Sequence, residues 1–407
     1  MTNDKKDNKH LEDRKNLRKL VIDAGGDRCI SCGACVTGCP IADWSEERLD
    51  PRRMIRLVQI GQGELLVEQD WIWQCTNCGR CTYNCPVGVD LQAIISMARS
   101  LVPKDESPGG IQKTANLHRT ISNNMNIEEE DWIDTLEWMT EELQSEIPDF
   151  ELPIEKENAD FFVTINSKLP MYYPSDLQDI FKIFYAAGVS WTLPKKWWEG
   201  TNYAMFTGDD ETWEETLRNQ VAEAERLGCK HMAYTECGHG YFATMEGYAK
   251  FGIQPKFDVT HVVKLYARWI REGRFKLDPS KNKQLITLHD PCNAVRKASM
   301  AGFESIEEDS RYVLNNIIEN FTEMTPNRED NYCCSGGGGA LIAGFKHART
   351  HYGSVKVDQV NRTGAEMVCS PCVNCYDGLH NLAKDYDCSW EPIHMWKLLA
   401  NAIVLDK

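Results

Sequence analysis

Cys29 to Pro40 reads CISCGACVTGCP, and Cys75 to Pro86 reads CTNCGRCTYNCP. Both obey one pattern, C-x2-C-x2-C-x3-C-P. The eight residues are Cys29, Cys32, Cys35, Cys39, Cys75, Cys78, Cys81 and Cys85, out of 17 cysteines in the chain. None lies between Cys85 and Cys229, and nine follow. The first ten residues, MTNDKKDNKH, carry charges and no apolar stretch of the kind that directs export. The expectation is a reducing compartment, where grouped thiols ligate metal rather than pair as disulfides.

The spacing is that of bacterial two-cluster ferredoxins. Two-residue gaps let three thiolates of one loop reach three irons of a cubane. The fourth cysteine, on the following turn, reaches the other cluster. Cys29, Cys32, Cys35 and Cys85 are therefore expected around one [4Fe-4S] cubane, and Cys75, Cys78, Cys81 and Cys39 around a second. Zinc ribbons would use C-x2-C pairs and leave the C-x3-C-P extension without a purpose. Between the runs, Asp50 is a good N-cap and Pro51 suits the first helical position. Met54, Ile55, Leu57 and Val58 then form an apolar face, and Gly61 and Gly63 end the helix. Trp71 and Trp73, just ahead of the second run, are expected to shield a cluster from water.

Outside these runs, 407 residues allow two or three domains, and 42% hydrophobic residues exclude global disorder. No run of 18 apolar residues occurs, so no spanning helix is expected. A net charge of −16, from 61 acidic and 45 basic residues, argues against nucleic-acid binding. From Glu128 to about Asp160 the chain is acidic. Trp132, Leu136, Met139 and Leu143 recur there at helical spacing, which reads as a solvated linker helix with one face able to pack.

The rest contains an internal repeat. Phe257 to Ala267 reads FDVTHVVKLYA, and Trp390 to Ala400 reads WEPIHMWKLLA. Upstream of each lies a second match, Gly228 to Tyr241 (GCKHMAYTECGHGY) and Gly364 to Tyr376 (GAEMVCSPCVNCY). Short apolar runs at Phe161–Ile165, His231–Thr235, Leu285–His289 and Met367–Ser370 read as strands, separated by helical stretches. Each copy is then α/β with a small, mostly parallel sheet.

The copies differ in cysteine. The second holds Cys292 in HDPCNAVRK, Cys333 and Cys334 in CCSGGGGA, and Cys372 and Cys375 in PCVNC. Neighbouring cysteines cannot readily pair with each other, because the geometry is strained. Five thiolates exceed the needs of a cubane, which points to an unusual cluster. Gly336 to Gly339 would let the backbone pass close to it, and without a following Lys-Ser/Thr they do not form a phosphate loop. His289, Asp290 and Arg296 flank Cys292; they either shape its loop or supply protons and hold a substrate anion. The first copy keeps only Cys237 near the matching position, with His239 two residues on. His261 and His394 are repeat-equivalent and read as structural. Cys229, Cys369 and Cys388 read as inert thiols.

These motifs resemble the catalytic iron–sulfur D subunit of membrane-type heterodisulfide reductases and the DsrK-like subunits of transmembrane redox complexes. Residues 20–100, with DPRRMIRL and WIWQCTNCGRC, are similar to the separate C subunit of soluble heterodisulfide reductases. Residues from about 160 are similar to the B subunit, with its two cysteine-rich CCG domains. The resemblance implies a mainly helical two-cluster ferredoxin-type domain at 1–110 and an acidic helical linker at 111–159. It further implies a degenerate CCG repeat at 160–275, with WWEGTN around Gly200 in place of a CCG, and an intact repeat at 276–407. It implies one noncubane [4Fe-4S] cluster on Cys292, Cys333, Cys334, Cys372 and Cys375. Ser335 replaces the family's glycine and stiffens that turn. The TECGH segment around Cys237 is similar to the DsrK-like branch.

The implied activity is reduction, or formation, of a disulfide or trisulfide, with electrons entering at one cubane and passing to the other. His289 is the candidate proton donor, and Cys237 faces the cleft. The implied partners are a cytochrome-b-like membrane subunit, other redox subunits, and a thiol small molecule or a DsrC-like carrier protein. The chain would then sit on the cytoplasmic side of a membrane. Two other readings stay open. One is a non-catalytic electron-transfer subunit of a lactate- or glycolate-type dehydrogenase. The other is a scaffold whose second site is empty or zinc-filled.

Overall fold

A computed structural model describes residues 17–42 and 50–405. The first ten residues, read above for an export signal, lie outside the described residues. After the first cysteine run comes the helix Pro51–Gln59, capped as expected: the Asp50 carboxylate accepts from Arg53 N at 2.7 Å. Met54, Ile55 and Val58 bury its apolar face against Trp71, Ile72, Ile94 and Ile95.

Beyond residue 160 the chain forms two small sheets. Strands β1 (Phe161–Thr164), β2 (Trp191–Thr192), β3 (His231–Tyr234) and β4 (Asp258–His261) lie in the order β2-β1-β3-β4. Strands β5 (Leu285–Leu288), β6 (Asn320–Thr322), β7 (Met367–Cys369) and β8 (Glu391–Ile393) lie in the order β6-β5-β7-β8. Every pairing is parallel. The expected strands are present, each one residue shorter than the run that announced it. Apolar runs with helices on both sides are what parallel strands need, since both faces are covered. The two sheets thus share one strand order. In each, the first and third strands lie side by side at the centre, where the direction of winding reverses. A crevice opens at the carboxyl ends of such strands.

The repeated sequence blocks fall on equivalent elements. FDVTHVVKLYA covers β4 and the helix Val262–Arg271; WEPIHMWKLLA covers β8 and the helix Met395–Ala402. His261 and His394 each precede the helix and are buried. One apolar core joins both sheets, from Phe161 and Val163 to Ile286, Leu288 and Trp396.

The solvated linker helix is corrected by the packing. Glu129–Gln144 buries Trp132, Leu136, Met139 and Leu143 in that same core. Trp132 stacks on Trp198 at 4.2 Å, and its indole N–H donates to the Pro194 carbonyl. The acidic side chains occupy the other face, so composition alone suggested more solvent than the helix meets. No helix among the described residues is long and apolar enough to cross a membrane.

Candidate metal centres

The amino-terminal cysteines gather in two sets. Cys29, Cys32, Cys35 and Cys85 line one small cavity with Ile55, Val89 and Leu91. Cys39, Cys75, Cys78 and Cys81 line a second with Met54, Trp71 and Ile95. These are the crossed sets read from the spacing. Each loop is turned by left-handed residues, Ser31 and Gly33 in the first, Asn77 and Gly79 in the second. Trp71 borders the second cavity, whereas Trp73 lies under the Arg99 guanidinium at 5.0 Å. Burial pushes the Cys35 thiol up to about 11 and raises Cys39, Cys75 and Cys81, with neighbouring sulfurs adding to the effect. Crowded, buried thiols that resist ionisation are the donor set an electropositive cluster stabilises. All are free of disulfides.

The carboxyl-terminal cysteines meet at the ends of β5, β6 and β7. Cys292 follows β5, Cys333 and Cys334 follow β6, and Cys372 caps the helix Val373–Asp385 after β7. The sulfurs form a row of near neighbours. Cys78 of the second ferredoxin-type loop meets Cys333, then come Cys334, Cys375 and Cys372, and last Cys237 of the first sheet. Cys292 stands within electrostatic reach of Cys78 and Cys334, and burial pushes its thiol up to about 12. Cys334 and Cys372 each have two neighbouring thiols beside them, which draws both well below the usual thiol range.

One nitrogen of His289 lies within 4.8 Å of the Cys334 and Cys375 sulfurs, a grouping able to hold a metal ion. Burial keeps His289 well below the usual imidazole range, so it is neutral. Asn331 Nδ2 sits 3.2 Å from His289 Nδ1 and donates to the Asp290 carbonyl at 3.0 Å. Nε2 of His289 is buried without a hydrogen-bond partner. Four buried thiols, the half-buried Cys292 and an orphaned imidazole nitrogen suit a thiophilic metal cluster.

The first sheet faces this site with altered residues. Cys237 caps the helix Gly238–Phe251 after β3, as Cys372 caps its helix after β7. Lys168 stands four residues past β1, as Cys292 stands four past β5. Glu199, from the WWEGTN stretch, accepts from the backbone N–H groups of Asn124, Ser167 and Thr201. A carboxylate thus takes up three backbone N–H groups on the side of the first sheet. Lys168 pairs with Asp377 and donates to Asn374 at 3.1 Å. His239 lies 3.0 Å from the Asn374 amide, and Thr201 Oγ1 lies 3.2 Å from Cys237 Sγ.

Several contacts that hold the two regions together gave no sequence signal. Cys333 Sγ donates to Thr76 Oγ1 at 3.3 Å. Arg296 donates to the carbonyls of Cys78, Glu329 and Asn331, in keeping with the first of its two expected roles, and it joins loops distant in sequence. Asp290 makes a bidentate pair with Arg311. Lys356, fully buried, donates to Asn331 at 2.6 Å, and burial lowers its pKa to about 7. The glycine run has a further neighbour besides the five-cysteine site, which Gly336 N meets at Cys334. A Cβ on Gly338 would come within 2.7 Å of the Thr76 and Cys75 backbone, so the run admits the ferredoxin-type loop. Cys229, Cys369 and Cys388 lie outside the thiol chain, the first two buried.

Comparison with known proteins agrees with this geometry. Residues 25–89 match the 4Fe-4S dicluster domain family, and residues 286–380 match the cysteine-rich domain family known as CCG. The Hdr-like menaquinol oxidoreductase iron–sulfur subunit of Archaeoglobus profundus is 28% identical over 265 residues, 54% of this chain and 45% of that protein. The D subunit of the dihydromethanophenazine:CoB--CoM heterodisulfide reductase of Methanosarcina mazei is 25% identical over 406 residues, 92% of this chain and 93% of that protein. The iron–sulfur C subunit of the CoB--CoM heterodisulfide reductase of Methanopyrus kandleri is 33% identical over 76 residues, 19% of this chain and 38% of its own length. The match to the Archaeoglobus protein spans less than half of that relative, and the match to the Methanosarcina protein spans nearly all of it. The homologues of this chain are heterodisulfide reductase subunits and Hdr-like iron–sulfur subunits.

Proposed function

We propose that this Hdr-like iron–sulfur protein is the thiol–disulfide oxidoreductase subunit of a redox complex. It would cleave, or form, a disulfide or trisulfide at the five-cysteine site. The supporting observation is the unbroken run of thiols from Cys78 through Cys333, Cys334, Cys375 and Cys372 to Cys237. In this reading Cys29, Cys32, Cys35 and Cys85 hold one cubane and Cys39, Cys75, Cys78 and Cys81 a second. Cys292, Cys333, Cys334, Cys372 and Cys375 hold a noncubane [4Fe-4S] cluster. The shared strand order and the matching helix caps at Cys237 and Cys372 favour two CCG repeats, the first degenerate.

Cleaving one S–S bond takes two electrons and two protons and releases two thiols, and iron–sulfur clusters, when bound, supply electrons singly. The residues divide the remaining work. Cys32 is exposed, so the first set of four faces a redox partner. Cys78 touches Cys333, so the second set faces the five thiols. His289, held neutral by burial and oriented by Asn331, presents a ring nitrogen within 4.8 Å of the Cys334 and Cys375 sulfurs and can hydrogen-bond a sulfur there. Cys237 presents a thiol beside Cys372. A cytochrome-b-like partner would place the chain at the inner face of a membrane, and the substrate would be a small thiol pair or a DsrC-like carrier.

The test is iron and acid-labile sulfide in anaerobically purified protein, with a disulfide-reduction assay. Three four-iron clusters require about 12 irons and two cubanes about 8. The expected result is the higher figure, falling to the lower in Cys334→Ser with loss of turnover. Cys237→Ser should keep its iron and lose turnover. A fully loaded protein near the lower figure overturns the third cluster. Full iron without disulfide turnover favours the electron-transfer reading.

A further inference from the structure

A wide groove, open to solvent, separates the helix Leu91–Ser100 from the helix Gly238–Phe251. Its inner end reaches Asn77 and Gln92, which also line the second cysteine cavity. Lys297 lines the same end, one turn along from Cys292, and feels the Cys292 and Cys78 sulfurs electrostatically. Lys297 is 3% exposed. Its ammonium rests 4.2 Å from the centroid of the Phe242 ring and makes no hydrogen bond or ion pair among the described residues. The Glu246 and Asp90 carboxylates act on it only at a distance; a buried ammonium without a direct partner is costly, and one that serves packing alone is normally paired. Asn77 adds a second orphan, a buried Oδ1 with no donor.

The other charges of the groove are occupied or lie off the inner end. Asp210 is neutralised by Lys250 at 2.7 Å, and Asp90 caps its helix through Ala93 N. Glu246 on the wall acts on Lys297 electrostatically but makes no direct ion pair among the described residues, and it disfavours a ligand with anionic groups along its whole length. Met97, Met205 and Phe242 supply apolar wall for an alkyl stem. The chain as a whole carries −16, so it repels anions in general. Any preference for an anion must therefore be local to this cation.

We propose that this groove binds the thiol or disulfide substrate through a terminal anionic group, a carboxylate, sulfonate or phosphate, held by Lys297 Nζ, while Asn77 Oδ1 accepts a donor from the same molecule. The proposal rests on the disulfide reading above and assigns its recognition site. Lys297 is a specificity residue here, placed where an anchored anion would hold a sulfur near Cys78 and Cys292.

The experiment is calorimetric titration of the anaerobic, iron-loaded protein with 3,3′-dithiodipropionate and with neutral 2,2′-dithiodiethanol. The acid should bind at least about 10-fold more tightly, as a charge-assisted hydrogen bond allows. Lys297→Met should erase that ratio and leave the neutral compound unchanged, Lys297→Arg should keep it, and Lys250→Met should not alter it. Equal affinities in the natural protein, or an unchanged ratio in Lys297→Met, overturn the site. Should Lys297→Met fail to retain iron, the natural ratio and its survival in Lys297→Arg decide. Anion binding without any disulfide turnover sinks the functional reading and leaves the site standing; turnover without charge preference does the reverse.

Discussion

Arg99 offers the strictest test of how the amino-terminal region is held. It is 1% exposed, and burial lowers its pKa to about 10, so it stays charged at neutral pH. Its guanidinium donates to Ile72 O at 2.9 and 2.7 Å, Cys75 O at 2.7 Å, Phe206 O at 2.9 Å and Gly338 O at 3.0 Å. These carbonyls belong to the short helix before the second cysteine run, the run itself, the first α/β half and the glycine run. Replacing Arg99 by Met keeps much of the packing on Trp73 and removes every donor. A hydrogen bond from a charged donor contributes about 1.5–3 kcal/mol, but the values do not add and water will reach some of the carbonyls. The expected cost is about 3–5 kcal/mol, the range for one partner lost from a buried ionic network. Arg99→Lys should recover less than half, because an ammonium lacks the planar fork. Anaerobic urea denaturation followed by cluster absorbance and by far-ultraviolet circular dichroism gives the answer. In the natural protein the two transitions should coincide. In Arg99→Met the absorbance should be lost at lower urea than the helix signal. Coincident transitions with a loss below about 1 kcal/mol would refute the reasoning, since a packing role for this guanidinium is then all that remains.

Three further outcomes follow from the packing and charge. Trp132→Ala should cost about 3–5 kcal/mol in the same denaturation assay, because it empties a fully buried site against Trp198; a solvated linker would lose almost nothing. Burial, opposed by Lys397 and reinforced by Asp176, pushes the Asp179 carboxyl up to about 7. A folded pKa above the unfolded one stabilises at low pH and loses that contribution as pH rises through about 7, so Asp179→Asn should flatten the decline between pH 4 and 8. Because Asp179 is half-buried, the gain at pH 8 should be about 1–2 kcal/mol, and an unchanged pH profile would count against it. Ser335 adopts φ 64°, and its buried hydroxyl lacks a partner. Ser335→Gly should raise stability by about 1 kcal/mol while Ser335→Ala does not, as thermal denaturation will report.

How much of this was legible differs from region to region. The paired cysteine sets could be read directly, because ligand spacing within one loop is a local property and the exchange of the fourth cysteine follows from it. The strand positions were legible for the same reason: FFVT, HMAY, LITL and MVC are short apolar runs between helical stretches. The acidic helix misled, because charge on one face outweighed four apolar residues on the other. His289 was visible as a neighbour of Cys292, yet its neutral state and its contact with Asn331 depend on a loop distant in sequence. Lys297 gave no signal, since a lysine in a helix is ordinarily solvated.

The amino-acid sequence by itself determined the inventory: eight cysteines in two C-x2-C-x2-C-x3-C-P runs, five more in a second motif, and a pair of repeated sequence blocks, the first with Cys229 and Cys237. Only the tertiary structure decided which sulfur faces which. Thr76 and Cys333 are 257 positions apart, and their contact exists because glycines at 337 and 338 leave room for the ferredoxin-type backbone and Arg99 ties both loops to one guanidinium. Such meetings depend on steric fit between distant surfaces, and no local periodicity records them.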